Sequence, residues 1–256
     1  MARLAGIWRH PLKGVGAARL DAVDLAAGRA MPFDRVFALA HGASAWDADA
    51  PDWQPRRNFV VQAHVPELAR VEAAYDEATG RLALSHPEAG TVRLTLDAPG
   101  GEAALADWIA PLAGDRQPGP YRLAHRPDGA MTDMAPPYVS VLSLASLDAL
   151  SRHMGGTLGS FDLGARRFRG NLWLDDLDPW AEEDWIGREI AVGDVRLRID
   201  EPIGRCRATE AGPASGRYDA ATVTELRRAR GHTAFGVYAT VMRGGRIATG
   251  DAAAVP

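Results

Sequence analysis

The sequence predicts a mainly β fold with α insertions (α+β), organised as two β-rich parts. Three observations carry this expectation. Short apolar or alternating runs bounded by Gly, Pro, Asn and Asp recur at about ten-residue spacing, the pattern of barrels and sandwiches. Helical periodicity shows in only a few stretches. Of 256 residues, 46% are apolar and 24% charged, enough to bury a sizeable core and unlike a disordered chain.

The elements follow in chain order. Residues 4–9 form an apolar run ending at His10-Pro11. Residues 20–25 alternate, with Leu20, Ala22 and Asp24 toward one face. Further strands are expected over 33–40, 58–62, 68–75, 81–85 and 91–96, with Glu77-Ala78-Thr79-Gly80 as a hairpin turn in which Gly80 supplies a positive φ. Leu105, Trp108, Ile109 and Leu112 make a helical stripe over 102–112. Residues 111–137 hold six prolines and three glycines, the composition of a linker, and divide the chain into 1–115 and 116–256. A strand at 138–143 leads into a helix at 144–154, where Leu144, Leu147 and Leu150 share a face and Gly155-Gly156 ends it. Strands follow at 168–174, 189–192, 195–200, 235–242 and 246–248, with a helix at 221–230 stopped by Gly231.

Composition excludes several function classes. The net charge of −4 gives no global basic field for nucleic acid. One cysteine rules out a disulfide framework or a multi-thiolate metal site within the chain. No secretory leader opens the sequence and no window approaches the roughly 18 apolar residues of a membrane helix, so a cytoplasmic location is expected. Histidines have no metal-binding spacing, Gly14-Val15-Gly16 lacks the third glycine of a dinucleotide fingerprint, and no nucleophile elbow or P-loop occurs. The acidic stretch Asp175-Asp176-Leu177-Asp178 lacks the glycine and spacing of a calcium loop.

Rarity is informative. Of 29 basic residues only Lys13 is lysine, and asparagine occurs only at 58 and 171, so the survivors Lys13, Asn58 and Asn171 are flagged as hard to exchange. Cys206 lies in Pro202-Ile203-Gly204-Arg205-Cys206-Arg207-Ala208-Thr209, where two flanking guanidinium groups favour a thiolate. A thiolate is a soft metal ligand, although a lone cysteine is more often a small buried hydrophobe. Arg166-Arg167-Phe168-Arg169-Gly170-Asn171, His10-Pro11-Leu12-Lys13-Gly14, Asp34-Arg35 and Pro55-Arg56-Arg57-Asn58 place cations and amides beside strands, suited to a small anionic ligand.

These pieces resemble the MOSC family, named after the C-terminal domain of molybdenum-cofactor sulfurase. Ile7-Trp8-Arg9-His10-Pro11-Leu12-Lys13-Gly14 and Pro32-Phe33-Asp34-Arg35-Val36-Phe37-Ala38-Leu39 resemble its N-terminal β-barrel block. Phe168-Arg169-Gly170-Asn171-Leu172, Trp180-Ala181-Glu182-Glu183-Asp184-Trp185, Arg205-Cys206-Arg207-Ala208-Thr209, Phe235-Gly236-Val237-Tyr238 and Gly250-Asp251 resemble the MOSC domain proper. The resemblance implies a molybdenum cofactor (molybdopterin) in a cleft between two β-rich parts. It implies Cys206 as the molybdenum ligand and catalytic residue, with Lys13, Arg35, Arg169, Asn171 and Arg205 as cofactor contacts. Where amidoxime-reducing members carry serine, this sequence has Gly14 and Gly204, which removes two hydroxyl contacts worth about 0.5–1.5 kcal/mol each.

The expectation is a molybdenum-dependent oxidoreductase acting on a small N-hydroxylated or related substrate. The chain ends soon after Gly250-Asp251, so a separate electron-donor protein is expected. The alternative is a carrier of cofactor or sulfur that uses a Cys206 persulfide. Pyridoxal phosphate on Lys13 is the weakest of the three readings.

Overall fold

The computed structural model describes residues 2–49, 53–126 and 129–254. The first strand, β1 (Arg3–Arg9), is followed by β2 (Ala18–Leu20), β3 (Ala22–Leu25) and β4 (Phe37–Ala40). A three-stranded meander follows, β5 (Glu72–Asp76), β6 (Arg81–His86) and β7 (Gly90–Thr95), then helix α1 (Gly101–Ala113) and β8 (Arg122–His125). The second part runs β9 (Val139–Ser143), α2 (Leu144–His153), α3 (Phe161–Phe168), β10 (Leu172–Asp175), β11 (Glu189–Val192) and β12 (Val195–Gly204). It closes with α4 (Thr222–Arg230), β13 (Ala234–Arg243), β14 (Gly245–Ala248) and β15 (Ala253–Ala254). The expected mainly β architecture with few helices is what the chain forms.

One eight-stranded sheet, in the order β15-β11-β12-β13-β9-β10-β1-β2, dominates the molecule. Strand β1 lies antiparallel to β10 and β3 to β14, so the first 25 residues are built into the sheet system of the C-terminal part. Leu4, Ile7, Val141, Leu172, Leu197, Ile199 and Val237 fill the core beneath it, each fully buried. Complete burial of one such side chain is worth about 1.5–3 kcal/mol, so a set of this size secures the sheet that carries the site. A second core lies under the meander and α1, where Leu82, Leu84, Leu105 and Ile109 meet Leu39, Val60 and Leu68.

Several strand expectations need correction. The run 20–25 breaks at Asp21, and its halves pair with different partners, β2 with β1 and β3 with β14. The run 33–40 shortens to Phe37–Ala40 because Phe33 and Arg35 hold φ of 57° and 54°, which no strand permits. Residues 58–62 leave a 3₁₀ turn, Arg56–Asn58, and make a single bridge from Phe59 to Ala40. Residues 66–70 form another 3₁₀ turn, so the strand expected from 68 starts at Glu72. The strand expected from 168 starts at Leu172, because Phe168 ends α3 and Arg169 turns with φ 52°. Helix α3 escaped notice because Gly164 interrupts its pattern. A Cβ there would stand 2.6 Å from the Leu147 side chain, which would have to shift to admit it. The proline-rich segment is more than a linker: β8 within it pairs antiparallel with β4. Pro127 and Asp128 of that segment lie outside the described residues.

Candidate functional site

A cavity of about 370 Å³ lies between the two parts of the molecule. Lys13, Arg35, Arg169, Asn171, Arg205 and Cys206, the six residues singled out by sequence, all line it.

Its floor is a row of neighbours across adjacent strands. Tyr238 on β13 stands opposite Ser140 on β9 and Glu201 on β12. Cross-strand partners share a face, so one side of the sheet presents all three to the cavity. Asn171, just before β10, joins the row through Ser140: its Oδ1 accepts from the Ser140 amide at 3.1 Å and the Ser140 hydroxyl at 2.8 Å. Its Nδ2 donates to the Trp8 carbonyl at 3.2 Å and faces Met31 Sδ at 3.6 Å. The amide's donors and acceptor are therefore spent on the protein, and Asn171 fastens β9 to β1 within the cavity wall.

The β12 strand ends at Gly204 and delivers Arg205 and Cys206 to the wall. Arg205 donates from Nε and Nη2 to the Phe235 carbonyl at 2.8 and 2.6 Å and from Nη1 to the Phe168 carbonyl at 2.9 Å. Phe168 and Phe235 stack with centroids 4.2 Å apart, and the guanidinium lies 5.5 and 5.9 Å from their rings. Cys206 is half-buried and free, and heads a 3₁₀ turn, Arg207–Glu210, by accepting from Thr209 N and Oγ1 at 3.0 Å. The second flanking cation, Arg207, sits 3.7 Å from the centre of the Tyr218 ring.

The opposite wall comes from the first 35 residues. Lys13 Nζ bonds Asp133 Oδ1 at 2.6 Å. Burial lowers the Lys13 pKa, and Asp133 opposes that fall by favouring the ammonium. Partial burial alone would raise Asp133, but the Lys13 charge and hydrogen bond outweigh it and hold its carboxyl at about 2. Arg35 is ion-paired with buried Asp34 and donates to the Arg169 carbonyl at 2.8 Å. Behind them His10 is completely buried against Asp34, with Nδ1 3.3 Å from Oδ1. Burial, then the charges of Arg169 and Arg35, depress its pKa to about 3, so it is neutral at pH 7.

Arg169 and Arg205 differ from the other cations. Neither makes an ion pair among the described residues; both donate only to carbonyls, Arg169 to Gly16 at 2.8 Å and Leu12 at 3.4 Å. Burial lowers their pKa values to about 9 and about 10, so both keep their charge at pH 7. Six cationic side chains line the cavity against two carboxylates, Asp133 and Glu201, in a chain whose net charge is −4. Buried charge without a counterion is costly, and an anion entering here would relieve it.

The sequence alone passed over Gln62, Asp133, Tyr138, Glu201 and Tyr238 as lining residues. Asp133 lay in the segment taken for a linker, and Gln62 in a run taken for a strand. Tyr238 stood inside a quoted motif, its only signal. Of the two rare asparagines, Asn58 faces away, bonding the Ala45 amide and the Gln54 side chain at 3.2 Å.

Residues 1–110 match the family model of the MOSC N-terminal beta barrel domain, and residues 134–254 that of the MOSC domain. Molybdenum cofactor sulfurase of Anopheles gambiae is 24% identical over 279 aligned residues, covering 92% of this chain and 34% of that protein. Molybdenum cofactor sulfurase 2 of Culex quinquefasciatus is 33% identical over 73 residues, 28% of this chain and 9% of that one. The chain thus spans about a third or less of these relatives' lengths. Among solved structures, the YuaD protein from Bacillus subtilis aligns over 98% of this chain and 93% of its own, with 12% identity and a TM-score of 0.42. Among the described residues no helix is long and apolar enough to cross a membrane.

Proposed function

The chain belongs to the MOSC family, and from that premise we propose that its cavity holds a molybdenum cofactor and serves a reductase acting on small N-hydroxylated or related N–O substrates. One observation carries the reading: the only thiol of the chain stands half-buried in the wall of a cavity in which two half-buried guanidinium groups lack a carboxylate partner.

The donor set fits the group. Among the described residues no cluster of three or more His, Cys, Asp or Glu could chelate a bare metal. A cofactor that brings most of its own ligands needs only one soft donor, and Cys206 offers it. Its phosphate-bearing end needs cations held in place, and Lys13, Arg35, Arg169 and Arg205 line the cavity already fixed by hydrogen bonds. When bound, the molybdenum group would supply two-electron oxygen-atom chemistry, with electrons delivered by a separate protein. The chain's own part is to hold Cys206 on its 3₁₀ turn, neutralise anionic charge, and shield the site beneath the Thr132–Met134 segment, whose Lys13 contact ties it to the cavity wall.

Expression in a host that makes molybdenum cofactor, followed by elemental analysis and turnover of a hydroxylamine substrate, tests this. Molybdenum near one atom per chain is expected for the unaltered protein, with turnover abolished by Cys206→Ala. Unchanged turnover in that variant would refute the assignment.

The similarity to proteins named molybdenum cofactor sulfurase favours a second reading, in which Cys206 carries a persulfide for transfer. Mass spectrometry separates the two: a sulfur adduct on Cys206 in protein without molybdenum supports the carrier.

A further inference from the structure

We infer that the end of the cavity formed by Tyr138, Tyr238 and Glu201 is a specificity subsite for the non-reacting part of the substrate, and that this part is an organic cation. The inference rests on the cavity being the reaction site proposed above.

Position comes first. Glu201 lies two residues beyond Ile199, and regular alternation would turn it toward the same apolar core. A bulge between Ile199 and Glu201 shifts the register so that Glu201 pairs with Tyr238 and lines the cavity. Bulges re-aim side chains in this way beside functional sites. Tyr138, just ahead of β9, stacks on Tyr238 with centroids 5.2 Å apart and planes at 20°.

Charge comes second. Burial first, and then the charges of Glu201 and Asp200, raise the Tyr138 pKa. Among the described residues Glu201 has no ion-pair partner, whereas the adjacent Asp200 is paired with Arg198 at 2.7 Å and accepts from Thr240 Oγ1 at 2.7 Å. Asp133, the other carboxylate of the cavity, is committed to Lys13 and Arg56. An unpaired carboxylate beside two aromatic faces is the combination that holds ammonium, amidinium or guanidinium groups. Arg35 and Arg205 act on Tyr238 from the basic end, and Arg198, itself paired with Asp200, acts on Tyr138. The first two would repel a cationic ligand until an anion fills the basic end. The two ends should therefore bind cooperatively, each ligand tightening the other by the same factor.

Calorimetric titration of the full chain tests this with benzyltrimethylammonium as the probe, with and without saturating inorganic pyrophosphate. The expected result is binding that strengthens when pyrophosphate is present, weakens about tenfold in Glu201→Gln, and weakens similarly in Tyr138→Leu. Pyrophosphate affinity in Glu201→Gln should hold or improve. Circular dichroism checks that both variants are folded. Pyrophosphate binding without cation binding overturns the subsite, and so does cation affinity equal in the unaltered chain and Glu201→Gln. Failure of pyrophosphate to bind counts against the anion-binding reading alone. In that case cation binding weakened by Glu201→Gln still supports the subsite, and its absence still overturns it.

Discussion

Gly14 and Val61 approach so closely that a Cβ on Gly14 would stand 2.6 Å from the Val61 Cα and 2.8 Å from the Val60 carbonyl oxygen. Gly14 also has φ 71°, a left-handed conformation that side chains resist. The glycine after Lys13 is therefore required by this backbone. Close apposition of the Lys13 turn to the 58–62 segment leaves no room there for a hydroxyl-bearing side chain.

Gly14→Ser should accordingly destabilise the protein by about 2–4 kcal/mol, from left-handed strain and overpacking against main chain. Gly204 is the opposite case: nothing lies within 4 Å of its Cβ position and its φ is unstrained. Gly204→Ser should stay within about 0.5 kcal/mol of the parent and restore a hydroxyl at the cavity. Urea unfolding midpoints of the two variants decide the matter, and equal losses would contradict the packing argument.

Asn171 separates a structural role from a ligand-binding one. Its side chain satisfies the Ser140 amide and hydroxyl and the Trp8 carbonyl, all in the interior. Asn171→Ala leaves these groups without partners at about 1–3 kcal/mol each before relaxation, so a loss of roughly 2–4 kcal/mol is expected. Pyrophosphate affinity of the fraction that remains folded should stay within about threefold of the parent, because no amide group is free to touch the anion. A stable variant that has lost anion binding would show instead that Asn171 reaches the ligand.

The parts legible in the sequence were those set by local pattern. The β5–β6 hairpin, the α1 stripe of Leu105 and Ile109, and α2 follow from periodicity and turn residues. The residues gathered at the cavity were legible through motif resemblance, with Lys13 and Asn171 also marked by rarity. What stayed hidden was set by non-local contacts. Phe33, Arg35 and Arg169 hold positive φ although none is glycine, a strain the tertiary structure imposes and residue type does not announce. The row Glu201–Tyr238–Ser140 depends on pairing among three strands and on a bulge, so no local window contains it.

Stability against pH should show two opposing slopes, one from His10 and one from Glu182. His10 falls from 6.5 to about 3, chiefly through burial and then through Arg169 and Arg35, with Asp34 opposing. Between those values the unfolded chain binds the extra proton, so the stability present above pH 6.5 is lost as pH falls toward 3. Glu182 is fully buried below α2, and burial lifts it from 4.5 to about 7 even though Ser146 Oγ donates to it at 2.8 Å. Between pH 4.5 and 7 the folded chain holds the extra proton, so stability present below 4.5 is lost as pH rises toward 7. From 4.5 to 6.5 the two slopes offset one another. Glu182→Gln removes the second and keeps a neutral group beside Ser146. The variant should gain on the parent steadily from pH 4.5 to 7, by up to about 3 kcal/mol. Urea unfolding at pH 4.5, 5.5 and 7 reads this directly. A constant offset between the two proteins across that range would mean that Glu182 titrates as an ordinary exposed carboxylate.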